Sequence, residues 1–215
     1  MQLKEQTRSL LEAVTHYSQV LDERTEEYLA GRGISKDVAQ RYMLGTVTEP
    51  INGHEDHTGW LSIPYITALG LCTSVKFRRL DDGKPKYGQP AGQRQHLYNV
   101  EDITLLSPRI VVCEGELDAV VVSGVIGIPA VGVPGVTAWK PHFPKLFSGY
   151  DTVYIVGDND EKDDGTNPGA EFSRRVQHEV GNGVIVTLPP GMDINDFYLR
   201  HGKEETQRLL GGEYV

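Results

Sequence analysis

The sequence is poor in cysteine, in long apolar runs and in positive charge, and each shortage closes off a class of function. Only Cys72 and Cys113 occur among 215 residues, and they form no Cys-x-x-Cys pair. A disulfide scaffold and a zinc ribbon are therefore excluded, and two isolated thiols suit a reducing cytosol. No stretch approaches the roughly 20 apolar residues of a membrane-spanning helix. The opening residues carry Lys4, Glu5 and Arg8 where a signal peptide needs an apolar core. A cytoplasmic protein without membrane contact is expected. Basic residues are outnumbered, 21 Lys+Arg against 30 Asp+Glu, for a net charge of −9. Such a balance argues against indiscriminate coating of DNA, which depends on many phosphate contacts. The 24 glycines have no triplet period and apolar residues are spread throughout, which excludes collagen and wholesale disorder.

The charge that is present is unevenly placed. Residues 1–106 carry 12 basic and 14 acidic groups, whereas 107–215 carry 9 and 16. Within the first part, residues 74–98 hold Lys76, Arg78, Arg79, Lys84, Lys86 and Arg94 against only Asp81 and Asp82. A basic strip thus precedes an acidic half, leaving local or metal-bridged contact with nucleic acid open. Lys76 and Arg78 share one face of an extended segment by its two-residue period, and Arg79 points away.

Periodicity divides the chain in the same way. Apolar residues at three- and four-residue steps over 7–30 predict one or two amphipathic helices, with Leu10, Leu11, Val14 and Tyr17 as core contacts. Gly31 and Gly33 stop this pattern, and Ser35 is a good N-cap for a short helix through Tyr42. Residues 60–66 and 71–80 read as strands around a turn at Leu69-Gly70. The intervening Gly53-His54-Glu55-Asp56-His57 run is expected to be a solvated loop. Beyond Pro108 the pattern changes. Short apolar strands at 109–113, 129–133, 151–156 and 184–188 alternate with helices at 116–125 and 169–180, and helices at 193–201 and 204–210 close the chain. Uninterrupted apolar strands joined by helices predict a parallel α/β sheet with crossover helices. The fold class is therefore α/β, a small α+β subdomain at 1–106 preceding a parallel-sheet domain at 107–215.

Acidic residues fall at the carboxyl ends of these strands, where open parallel sheets bind ligands. Glu114 ends the first, and Asp118 lies one helical turn further on. Asp158 and Asp160 follow the third strand and, two residues apart, point to one side. Asp193 follows the fourth, with Asn195 and Asp196 beside it. Like charges brought together need protons or cations. Hard oxygen ligands without a neighbouring Cys or His pair favour Mg²⁺ or Mn²⁺, and phosphoryl transfer is the natural chemistry. Gly132, Pro134 and Gly135 fit a phosphate-binding loop or simply a tight turn.

The Glu114-Gly115-Glu116-Leu117-Asp118 run, Asp158-Asn159-Asp160 and Asp193-Ile194-Asn195-Asp196 together resemble the TOPRIM module shared by DnaG-type primases, type IA and type II topoisomerases and several nucleases. The module would cover roughly residues 107–200. The Gly132-Val133-Pro134-Gly135 loop is similar to that of bacterial and phage primases. In the first half, Tyr28-Leu29-x-x-Arg32-Gly33-Ile34-Ser35 and Arg41-Tyr42-x-Leu44-Gly45 resemble the opening of the DnaG-type catalytic core. Ile63-Pro64, Asp82-Gly83-Lys84-Pro85-Lys86-Tyr87 and Leu97-Tyr98-Asn99 continue the likeness in order. Departures are the insertion at 161–168 before Gly169-Ala170, and Asn195 at a position that is often acidic.

The resemblance implies a DNA primase catalytic core, a metal-dependent nucleotidyltransferase making short RNA primers on single-stranded DNA. It implies Glu114, Asp158 and Asp160 as catalytic residues, and Glu114, Asp118, Asp158, Asp160 and Asp193 as ligands for two Mg²⁺ or Mn²⁺ ions. Lys86, Lys84, Arg78, Lys76, Arg94 and Arg41 would contact template or ribonucleoside triphosphate. A separate replicative helicase and a separate zinc-binding protein are the implied partners, in a bacterial or phage-infected cell. A TOPRIM nuclease and a non-catalytic replisome module are the alternatives.

Overall fold

A computed structural model describes residues 2–93 and 96–211 of the chain. It divides into two compact units, Met1–Gln95 and His96–Val215. The second unit begins earlier than the boundary of 107 read from the sequence. The reason is local: Tyr98 pairs with Gly132, and Asn99 donates from Nδ2 to the Ala130 carbonyl at 2.8 Å. Among the described residues no helix is long and apolar enough to cross a membrane.

In the first unit the helical pattern resolves into α1 (Gln2–Ser18) and α2 (Glu23–Gly31), followed by α3 (Lys36–Arg41). Ser35 caps α3 as expected, accepting the Val38 N–H at 3.3 Å. Four strands, β1 (Gly45–Thr46), β2 (Leu61–Ile66), β3 (Cys72–Arg78) and β4 (Tyr87–Gly88), form an antiparallel sheet in that order. β1 and β4 are two residues long and carry no periodic signal, so only tertiary pairing defines them. Pro64 sits inside β2 opposite Val75, whose N–H donates to Gln93 Oε1 at 2.8 Å. That pair is therefore not hydrogen-bonded across β2 and β3, and the missing proline N–H lies on the side where β1 has already ended.

One face of β3 packs Val75 and Phe77 with Val14 and Tyr17 of α1. The histidines of the 53–57 run join this core instead of lying in a solvated loop. His54 is 3% exposed, and the rings of His54 and His57 lie 5.0 and 4.4 Å from that of Phe77. A three-residue 3-10 turn, Glu55–His57, folds both rings inward. The fully buried Tyr17 hydroxyl accepts the Ile51 N–H and hydrogen-bonds His54 Nδ1, each at 3.0 Å.

The second unit is built on β5 (Arg109–Cys113), β6 (Ala130–Gly132), β7 (Thr152–Val156) and β8 (Gly183–Ile185), all parallel in the order β6-β5-β7-β8. This is the expected α/β architecture. Crossovers are α4 (Glu116–Val120), continued by a π-helical turn Val121–Ile126, and α5 (Pro168–Val180). α6 (Ile194–Leu209) follows β8 and breaks at Gly202, whose φ of 81° separates the two closing helices read from the sequence. Ile110, Val112, Val153 and Ile155 pack with Phe172 and Val176 of α5 and with Trp139 and Phe147. Cys113 is fully buried, as its apolar context predicts, and burial raises its thiol pKa first, with Asp118, Asp158 and Asp193 adding to the rise.

Replacing Tyr17 by Phe strands the Ile51 N–H in the first unit's core. A loss of about 1–3 kcal/mol is expected, measured by chemical denaturation of the purified chain; an unchanged stability would contradict the role assigned to the hydroxyl.

Candidate active site at the carboxyl edge of the parallel sheet

The strand order fixes where a ligand can sit. From β5 the chain crosses through α4 to β6 on one side, and from β7 it crosses through α5 to β8 on the other. Right-handed crossovers in opposite directions put their helices on opposite faces of the sheet. The loops leaving β5 and β7 consequently part, and a crevice opens at the carboxyl ends of these two strands. Glu114 is the first residue beyond β5, and Asp158 lies two residues beyond the end of β7.

The two acidic segments meet there. Glu114 Oε2 accepts the backbone N–H of Asp158 at 3.0 Å, while the Glu114 N–H continues the ladder to the Val156 carbonyl at 3.2 Å. The approach needs Gly169 at the start of α5. A Cβ there would lie 2.1 Å from the Asp158 carbonyl oxygen and 2.8 Å from Glu114 Oε2. Asp118, on the first turn of α4 and 9% exposed, folds its carboxylate back over Gly115, where a Cβ would come within 2.7 Å of Oδ2. Asp193 caps α6 through Oδ1, which accepts the Asp196 N–H at 2.7 Å. Asp160 is exposed and Asp158 half-buried.

Their charges act on one another. The Asp158 carboxyl is pushed from 3.8 to about 8, first by burial and then by Asp118, Glu114, Asp193 and Asp160. Every one of those neighbours is negative. Burial also raises Glu114, opposed by the Asp158 N–H that it accepts, with Asp160 adding to the rise. The structure thus brings all five sequence-predicted carboxylates into one electrostatic neighbourhood. Among the described residues no three His, Cys, Asp or Glu side chains are already gathered into a closed ligand set.

The basic residues of the first unit are differently disposed. Lys84 and Lys86 are exposed, and Arg41 is exposed at the end of α3 with its guanidinium 5.5 Å from the Tyr42 ring centroid. Lys76 holds its ammonium 4.3 Å over the Tyr87 ring. Arg78 departs from a simple surface cation. It is 7% exposed, with its guanidinium carbon 4.9 Å from the centroid of Tyr28 and 5.1 Å from that of Tyr87, and it donates to the Tyr87 hydroxyl. Arg78 and Lys76 do share a face of β3, as the two-residue period requires, and Arg79, just past the end of β3, lies 4.4 Å over the Trp60 ring. Arg94 lies outside the described residues.

A Toprim domain model matches residues 109–204, the segment that carries every one of these carboxylates. The gene 57 protein of Mycobacterium phage D29 is 40% identical over 152 residues, spanning 69% of this chain and 95% of the phage protein. The chain belongs to the family of this phage protein and carries a Toprim domain. Its fold is that of the DnaG primase catalytic core. The Aquifex aeolicus primase, solved with its zinc-binding and RNA polymerase domains, superposes with a TM-score of 0.80 at 22% identity over 97% of this chain, which spans 61% of that one. A DnaG primase catalytic domain bound to single-stranded DNA gives 0.77 at 18% identity, covering 98% of this chain and 82% of that one.

Within the Toprim domain, the residue that sequence reasoning passed over is Asn159. It was visible only as the spacer between two aspartates, but the same two-residue period that turns Asp158 and Asp160 one way turns Asn159 the other. Asn195, noted as a departure from an acidic pattern, is 3% exposed and so sits in the interior beside the cap of α6. The donor chemistry of the Toprim site suits a hard divalent cation: all five groups are carboxylates, and the proton affinity of Asp158 is raised first by burial and then by its four negative neighbours.

Because the folded pKa of Asp158 lies above its unfolded value, the folded state holds a proton that the unfolded chain releases. The stability this group contributes is present below about pH 4 and is lost as pH rises through about 8. In metal-free buffer, Asp158→Asn is expected to gain stability over the unaltered chain progressively across that window. Thermal melts at several pH values measure the gap, and a gap independent of pH would contradict the assigned repulsion.

Proposed function

We propose that the chain is the catalytic core of a DNA primase, a nucleotidyltransferase that builds short RNA primers from ribonucleoside triphosphates on a single-stranded DNA template. The observation that carries this reading is the 3.0 Å contact between Glu114 and Asp158 at the switch point of a Toprim sheet, with Asp118, Asp160 and Asp193 acting on the same carboxyl. The likeness to primase catalytic cores over nearly the whole chain supports it, as does the phage relative.

Glu114, Asp118, Asp158, Asp160 and Asp193 would hold Mg²⁺ or Mn²⁺, two ions in the fullest form of the proposal. Bound there, the cations supply neutralisation of charge on phosphate oxygens and alignment of an in-line displacement. The protein's own part is positional. Glu114 stays fixed by the Asp158 N–H, which keeps one carboxylate oxygen directed across the crevice. In the alternative form of the proposal Glu114 acts as a general base instead of a ligand, taking the proton of the attacking 3′-hydroxyl. In the balanced step, the hydroxyl oxygen bonds the α-phosphorus of the incoming nucleotide, the bond to the β-phosphate oxygen breaks, and pyrophosphate leaves.

Exposed Lys84, Lys86 and Arg41 are suited to phosphates of template or triphosphate, contacts that position a strand without reading it. Lys76, set against Tyr87, would offer cation and ring together, as single-strand-binding surfaces do, with Arg78, 7% exposed against Tyr28 and Tyr87, adding its charge from beneath. Arg94 completes the proposed basic set. A separate helicase and a separate zinc-binding protein would supply loading and template choice. The setting would be the cytoplasm of a bacterium or a phage-infected cell, where the template is.

Incubation with ribonucleotides, single-stranded DNA and Mg²⁺ or Mn²⁺ is expected to yield short RNA products, and Asp158→Ala is expected to reduce them at least about 100-fold while leaving the circular dichroism spectrum unchanged. Cleaved DNA would mark a nuclease instead, and full synthesis by the variant would overturn the site assignment.

A further inference from the structure

A cluster of like charges pushes its supporting loops apart, so something in the fold must hold the acidic segments together. Asn159 makes four hydrogen bonds that do this. Its N–H donates to the Met192 carbonyl at 3.0 Å, and its carbonyl accepts the Gly191 N–H at 2.8 Å. Its side-chain Nδ2 donates to the Leu188 carbonyl at 2.6 Å, and its Oδ1 accepts Nδ2 of Asn167 at 2.8 Å. The first three bonds join the loop after β7 to the loop after β8, one residue short of Asp193. The fourth joins it to the N-cap of α5, because Asn167 Oδ1 also accepts the Ala170 N–H at 2.9 Å.

The inserted segment 161–168 therefore has a use. It closes on itself, with the Lys162 N–H donating to the Thr166 carbonyl and the Gly165 N–H to the Lys162 carbonyl, each at 2.8 Å. Asp164 Oδ1 accepts both the N–H and the hydroxyl of Thr166 at 3.0 and 2.6 Å. This turn returns the chain so that Asn167 can cap α5 with one side-chain atom and hold Asn159 with the other.

We infer that Asn159 and Asn167 form a clasp that positions Asp158, Asp160 and Asp193 for divalent cation binding. Neither residue is a ligand; each acts through the carboxylates. The inference rests on the proposed metal-binding reading of the Toprim site and adds to it which uncharged residues set its affinity. Residues that orient metal ligands typically govern metal affinity by about 10–100-fold; Asn159 does so through the backbone it shares with Asp158 and Asp160, and Asn167 through Asn159.

The test is direct titration of the full chain with Mn²⁺, following free Mn²⁺ by electron paramagnetic resonance, for the unaltered protein, Asn159→Ala and Asn167→Ser. Serine keeps a neutral N-cap on α5 but is too short to reach Asn159, so Asn167→Ser separates capping from clasping even if Asn159→Ala folds poorly. Expected is a rise in the Mn²⁺ dissociation constant of about tenfold in Asn167→Ser and more in Asn159→Ala. Primer synthesis by the variants should recover at high Mn²⁺, with the metal requirement changed and the saturated rate kept. An unchanged dissociation constant in folded Asn167→Ser, beside normal binding by the unaltered chain, would overturn the clasp alone. Absence of Mn²⁺ binding by the unaltered chain would overturn the parent reading and the clasp with it.

Discussion

Repulsion among carboxylates at the carboxyl edge of the parallel sheet is the constraint around which the second unit is organised. Burial and four negative neighbours hold a proton on Asp158 at a pH where an isolated aspartate has long lost it. No folding advantage follows from such an arrangement, since each group would be better hydrated alone. Structures keep arrangements of this sort where a cation is the neutralising partner, and the strand order places this one at the switch point where ligands of open sheets bind.

The surrounding covalent structure yields to that constraint at specific positions. Gly169 lets α5 begin against the Asp158 backbone and the Glu114 carboxylate, and Gly115 leaves room for the returning carboxylate of Asp118. Asp193 spends one oxygen on capping α6, which ties its position to the helix start. The polar spacer Asn159 and the cap Asn167 connect three loop segments without adding charge. The first unit uses a different device. Its cations Lys76 and Arg78 lie over the rings of Tyr87 and Tyr28, and Arg79 lies over that of Trp60 while pairing with Asp81 at 3.3 Å, so aromatic faces help to hold the positive charge.

Much of this was legible before folding because the signals were periodic. The apolar runs at β5 and β7, the helical spacing of α1 and α5, and the placement of Glu114 and Asp158 just past strand ends all follow from local pattern and one topological rule, whereas β8 ends at Ile185, eight residues before Asp193. What escaped the sequence depended on tertiary partners. β1 and β4 are two residues long, the π-helical widening after α4 has no compositional mark, and the start of the second unit hinges on the bridge between Tyr98 and Gly132. His54 and His57 look like loop residues until Phe77 and Tyr17 are placed beside them. Asn159 looked like a spacer because its partners, Leu188, Gly191, Met192 and Asn167, come from later in the chain.

The account stands on the capture of divalent cations between the loops that follow β5 and β7. Crystals of the chain grown with Mn²⁺ and measured at a wavelength where manganese scatters anomalously would locate any bound ion without reference to activity. Anomalous density within coordination distance of Glu114 and Asp158 is the predicted result. Manganese bound elsewhere, with that crevice left to solvent at saturating concentration, would contradict it.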